Sequence, residues 1–256
     1  MGRLLHRASA WLSILLLWAI ATPLRAGPVA YEPMGLGWTA EEVQHLAALE
    51  GAALVERARR EGQLGCLSEC DRLSRVFSSI VSQARQQTAR SATLPWSLTI
   101  VTLPDVDAEV ISGGRVVISE TFAGQRLASD EALAFVLAHE MAHDILEHER
   151  QSLSFARMLL PKEPARSVRD MYVEMDFNMS LRRAMAPVLQ QGEFEADELG
   201  FLMASAAGYS PDLQLAFLEQ ECRADAGHAN PLVATHPAAC ARLSALQALL
   251  PLARRQ

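Results

Sequence analysis

His139-Glu140-Met141-Ala142-His143 reads H-E-x-x-H inside an apolar run over residues 131–146. The apolar spacing there is helical, and on a helix residues four apart share a face. Both imidazoles can then reach one ion. Glu140 lies about 100° around from His139, beside the ion without being a ligand. This is the pattern of zinc hydrolases, with two His ligands and a Glu as general base. A helix that merely happens to carry two His is the competing reading, and the rest of the chain decides between them.

A catalytic zinc needs a third protein ligand. The metzincin solution is excluded, because Leu146 stands where Gly is needed and Glu149 where His is needed. His148 is one residue out of register and reads as a surface His at a helix end, with an auxiliary ligand as the alternative. The other common solution is a carboxylate from a second helix. Glu193-Phe194-Glu195-Ala196-Asp197 offers one. Glu193 is expected to bind the metal, and Asp197, four residues on, to accept an N–H from a ligand His and fix its tautomer.

With both motifs in hand, the chain resembles the zinc metallopeptidase family of the CAAX prenyl proteases, whose bacterial members include a periplasmic protease that supports beta-barrel assembly. Three further stretches carry the resemblance. Asp107-Ala108-Glu109 through Gly113-Gly114-Arg115-Val116-Val117-Ile118-Ser119 is similar to the family's hairpin. Ala207-Gly208-Tyr209-Ser210-Pro211 is similar to its Gly-Tyr turn, and Thr235-His236-Pro237 with Arg242 to its late T-H-P motif. Together they span roughly residues 71–250. The resemblance implies an α+β, mostly helical, zincin-like domain of gluzincin type, with a small sheet beside the H-E-x-x-H helix and one Zn²⁺ per chain. It places Asp107, Ala108, Glu109, Val110 and Ile111 along the sheet edge that receives an extended substrate. It assigns His236 to the metal or the oxyanion, and Arg242 to substrate or the Glu193 side. The chain departs from the family at Asp107 (usually Asn), at Glu109 (usually aromatic) and at Leu189-Gln190-Gln191-Gly192, where Ser-Arg is usual.

Composition sets the compartment and excludes some partners. Half of the 256 residues are hydrophobic, enough for a real core. Arg3, His6 and Arg7 precede an apolar run over residues 11–20 and then small residues, which reads as a signal peptide over 1–26. The run is short against the roughly 20 residues a membrane span needs; an uncleaved anchor facing the periplasm is the alternative. Residues 27–256 are expected to form a single peptidase domain. Losing residues 1–26 removes three arginines and no acid, taking the formal charge from −7 to about −10. Such a surface disfavours nucleic acid and anionic membrane. Four Cys in an exported chain imply two disulfides. Of the three pairings, the local one is expected, Cys66 with Cys70 and Cys222 with Cys240.

Periodicity predicts helices over 39–60 (with a capping box at Thr39-Ala40-Glu41-Glu42), 67–88, 130–148 and 167–189. A second ligand helix is expected to open at Glu193, with further helices over 210–221 and 237–250. Strands are predicted over 97–103, 106–111 and 115–119, the last two paired around Ser112-Gly113-Gly114. The expected function is an exported zinc endopeptidase acting on misfolded or unassembled cell-envelope proteins, with polypeptide substrates and envelope assembly machinery as partners. The alternative is a zinc-containing envelope chaperone with a latched site. A small-molecule hydrolase lacks support, because the hairpin suits a peptide backbone.

Overall fold

The computed structural model describes residues 37–162, 165–225 and 237–256. The expected signal peptide and His236 lie outside them. The chain runs α1 (Ala40–Arg60), α2 (Cys70–Ala84), α3 (Ala89–Thr93), β1 (Ser97–Val101), β2 (Ala108–Ile111), β3 (Arg115–Ser119), α4 (Glu120–Arg126) and α5 (Asp130–Ile145). It continues with α6 (His148–Leu159), α7 (Val168–Phe177), α8 (Met179–Ala206), α9 (Pro211–Asp225) and α10 (Ala239–Ala253). It is a mostly helical α+β fold with a small mixed sheet, as the sequence predicts. No helix among the described residues is long and apolar enough to cross a membrane.

Helix α5 is the centre. It packs against α2, α8, α9 and the sheet. Beyond its first turn, only Val136, Glu140 and His143 keep solvent contact. These lie at i, i+4 and i+7, so the one stripe left open includes two residues of the H-E-x-x-H motif. The rest of α5 joins the main core, with Leu73, Val76 and Ile80 of α2, Val116 and Ile118 of β3, and Leu199 and Met203 of α8.

The strand order is β1-β3-β2, with β1 parallel and β2 antiparallel to β3. Central β3 is almost wholly buried, and β2 is the open edge. The turn between them needs Gly113 and Gly114, which take φ of +101° and +82°. Buried Asp144 of α5 accepts the N–H groups of both glycines, and Arg90 holds its other oxygen at 2.7 Å. One carboxylate thereby fixes the hairpin to the H-E-x-x-H helix.

Several boundaries differ from the sequence reading. The 67–88 segment breaks after Ala84, because Thr88 caps a separate short helix with Ser91. The strand expected to reach 103 ends at Val101. Helix α5 stops at Ile145, because Glu147 turns into the left-handed region at φ 57° and α6 starts afresh at His148. The second ligand helix does not open at Glu193: α8 starts after the Asn178 cap and runs unbroken through Gln190-Gln191-Gly192. The expected capping box at Thr39 is formed. Gly208 closes α8, with Tyr209 N–H reaching back to the Ala204 carbonyl.

Both local disulfides, Cys66–Cys70 and Cys222–Cys240, are formed, and no Cys is free. The first closes a loop whose backbone wraps one carboxylate. Glu120 accepts the N–H groups of Leu67, Ser68 and Glu69 and the Ser68 hydroxyl. Burial alone would raise its pKa, but these four donors pull it down to about 2. A carboxyl depressed in the folded state stabilises the fold above its unfolded value, and loses that contribution as pH falls from about 4.5 to about 2. Glu120→Gln is therefore expected to cost about 1–2 kcal/mol at neutral pH. The gap to wild type should narrow steadily below pH 4.5, as read from urea midpoints across a pH series. A gap independent of pH would refute the account.

Candidate active site

The helices α5 and α8 bring the ligand residues together. His139 and His143 face each other with their Nε2 atoms 3.1 Å apart. The Glu193 carboxylate lies 3.5 Å from each of these nitrogens. Ligand atoms around a tetrahedral zinc, each bonded at about 2.0–2.1 Å, stand roughly 3.3 Å apart. Two imidazoles and a carboxylate at this spacing suit zinc, and the three residues form a metal-binding cluster. Glu193 and His139 are buried, and His143 is half-buried.

The surroundings favour positive charge at this point. Burial opposes a charge on His139, yet hydrogen bonds to Asp197 and Glu193 outweigh it and lift the pKa to about 10. Asp197 is fully buried, and its Oδ1 lies 2.9 Å from His139 Nδ1. Burial would raise the Asp197 pKa, but Arg242 and His139 hold it below the usual carboxylate range. Arg242 donates two bonds to Asp197, at 2.7 and 2.6 Å. The sequence reading put Arg242 with substrate or on the Glu193 side. The structure seats its guanidinium on Asp197, where it acts on the metal cluster through that carboxylate and His139.

The approach of α8 to α5 depends on Gly200, seven residues after Glu193 and on the same face. A Cβ there would lie 2.7 Å from the His139 nitrogen and 2.9 Å from its Cα. Both are backbone atoms and cannot move aside locally.

The edge strand meets the site through Glu140. Ser119 N–H pairs with the Asp107 carbonyl, so by alternation Glu109 and Ile111 also bond toward β3. The backbone groups of Ala108 and Val110 point outward. Val110 N–H donates to Glu140 Oε2 at 3.1 Å. The backbone positions open at this edge are thus Ala108 and Val110. Asp107 precedes the strand, and Ile111 turns its side chain onto Gly51 of α1.

Hollows lie on both sides of the metal cluster. One of about 390 Å³ is lined by Glu109, Glu140, His143 and Glu193, with Met175 of α7 and Leu189 of α8 as a wall. The other, about 580 Å³, presents Phe122, Phe135, Val136 and Phe217 beside His139 and Glu140. Residues 151–191, the stretch between the two ligand motifs, therefore supply one wall of the cleft.

His148 was expected at the surface. It is buried, with its Nδ1 2.9 Å from His143 Nδ1 and its Nε2 3.2 Å from Glu195 Oε2. The sequence signal was present only as a His five residues beyond His143, and the left-handed turn at Glu147 that aims it inward has no sequence mark. His236 lies outside the described residues.

The model of peptidase family M48 matches residues 71–250. The chain belongs to peptidase family M48. It is 26% identical over 183 residues to the mitochondrial metalloendopeptidase OMA1 of Schizosaccharomyces pombe, covering 70% of this chain and 52% of that protein. It is also 26% identical to the Saccharomyces cerevisiae OMA1, over 70% of this chain and 55% of that one. The Bos taurus OMA1 matches at 24% identity, over 90% of this chain and 46% of its own length. The chain thus spans about half the length of these curated relatives.

Gly200→Ala is expected to destabilise this M48 chain by about 1–3 kcal/mol, the cost of overpacking, despite the better helix propensity of Ala. Urea unfolding should show a lower midpoint and zinc titration a weaker affinity. Unchanged values for both would mean that the α5–α8 contact is not what seats the ligands.

Proposed function

We propose that this protein is an exported zinc-dependent endopeptidase that hydrolyses peptide bonds of misfolded or unassembled cell-envelope proteins. The observation that carries the reading is the bond between Glu140 and Val110 N–H. It puts a carboxylate between the metal cluster and the open edge of β2. A peptide lying along Ala108 to Val110 by backbone hydrogen bonds then has its chain beside both.

His139, His143 and Glu193 would hold the zinc, which supplies Lewis acidity toward the scissile carbonyl and toward water. Glu140 takes the proton of the attacking water and returns it to the leaving amine. Asp197 holds His139 in the tautomer with its proton on Nδ1, and Arg242 keeps Asp197 ionised and in place. His236 is assigned to the oxyanion or to the metal on its motif alone. The two hollows flanking the cluster give room for substrate on both sides of the scissile bond, as internal cleavage requires. Export is supported by the N-terminal sequence and by the pairing of all four Cys in disulfides.

The decisive comparison is casein degradation by wild type and Glu140→Gln, with zinc quantified in both. Equal zinc is expected, with the rate in the variant lower by about 10²–10⁴-fold, the usual worth of a general base. Full cleavage by Glu140→Gln would remove Glu140 from the mechanism. Equal zinc without cleavage in either protein would favour a latched envelope chaperone instead.

A further inference from the structure

Two histidines of the metal cluster are oriented by different devices. His139 is held directly by a carboxylate, Asp197. His143 meets another imidazole, that of His148, which in turn meets Glu195. We propose that His148 and Glu195 are positioning residues that set the tautomer of His143, so that its Nε2 is the nitrogen offered to the metal. The inference rests on the zinc reading of His139, His143 and Glu193.

An ionised carboxylate only accepts, so His148 Nε2, 3.2 Å from Glu195 Oε2, carries a hydrogen. In the tautomer with its one hydrogen on Nε2, His148 has a lone pair on Nδ1. The His143 Nδ1 facing it at 2.9 Å must be the donor. His143 Nε2 is left with its lone pair, and this is the atom 3.1 Å from His139 Nε2 and 3.5 Å from Glu193. Reversing either hydrogen along the chain would put a proton where the metal belongs.

The surroundings hold the relay in one geometry. The left-handed turn at Glu147 starts α6 so that the His148 ring folds back onto α5. The ring is buried and stands edge-on to His143 at 4.9 Å between centroids. A Cβ built on Gly192 of α8 would touch it at 3.5 Å, so the helix backbone backs the ring closely. Gln191 donates to the other oxygen of Glu195 at 2.9 Å and fixes that carboxylate. Helix α8 thus presents Glu193 to the metal and, two residues on, Glu195 to the relay.

The test is zinc affinity by chelator competition in the full chain, for wild type, His148→Phe, His148→Gln and Glu195→Ala. His148→Phe keeps a ring of similar bulk and removes both nitrogens; it should weaken zinc binding about 10–100-fold, the range for partners of metal ligands. Glu195→Ala should weaken it in the same direction. His148→Gln should restore most of the affinity, because its amide oxygen can accept from His143 while its NH₂ donates to Glu195. A merely structural His148 would make Gln no better than Phe, and that result overturns the proposal. So does wild-type affinity in His148→Phe or in Glu195→Ala. Should His148→Phe fail to fold, Glu195→Ala decides alone, since that side chain is one-third exposed at 33%. A wild type that binds no zinc would overturn the metal centre itself, which separates that failure from failure of the relay alone.

Discussion

The contact between α5 and α8 at Gly200 governs the site. Metal ligands tolerate errors of a few tenths of an ångström, and helices carrying ordinary side chains at their crossing sit 8–10 Å apart. Here the backbone of α8 at Gly200 comes against the backbone of His139 itself, with only a hydrogen between them. Glu193 and Asp197 precede Gly200 by seven and three residues on the same face. The same close approach therefore sets the carboxylate near both Nε2 atoms and the second carboxylate on His139 Nδ1. A rigid helix with its ligand in mid-span, not at an end, transmits that placement without fraying.

The other wall of the site is tied to the same helix. Asp144 follows His143 by one residue and binds the glycine turn of the hairpin. Glu140 binds Val110 halfway along β2. The edge strand is thus held at its turn and near its middle by side chains of one helix, about one turn apart. The metal cluster, Glu140 and the open strand edge share a single frame, so their relative geometry does not depend on loops.

The metal cluster was legible in the sequence because its motifs are periodic. His139, Glu140 and His143 announce themselves by spacing, and Glu193 and Asp197 by theirs. The hairpin is marked by Gly113-Gly114, the first helix by Thr39 and Glu42. What was not legible depends on long-range contact or on a single backbone angle. Glu120 looks like an ordinary surface acid until residues 67–69 fold around it. His148 looks like a helix-end residue unless Glu147 is known to be left-handed. The glycine and glutamines before Glu193 read as a break, yet α8 continues because its neighbours are packed on both sides, and tertiary burial outweighs a weak local preference. Arg242 had a motif but no direction; only the fold shows that it ends on Asp197.

Two Asp–Arg pairs are buried beside the site. Asp144 with Arg90 and Asp197 with Arg242 lie on neighbouring helices, each carboxylate almost without solvent contact. Burying an ion pair loses hydration that the pairing only partly returns, and apolar residues of similar size are often as stable. Stability alone does not account for them. Each Asp, however, has a second task that an apolar residue cannot do. Asp144 accepts hydrogen bonds from two backbone N–H groups that hold the edge strand, and Asp197 accepts one from His139 Nδ1. Without an arginine, Asp197 would be an uncompensated buried charge, driven to protonate and lose its acceptor role. Arg242 helps to hold it below the usual carboxylate range, so that it stays ionised where the site needs an acceptor. Arg242 comes from α10, whose start is clamped to α9 by Cys222–Cys240. The C-terminal helix is thereby part of the metal site, although it contributes no ligand among the described residues.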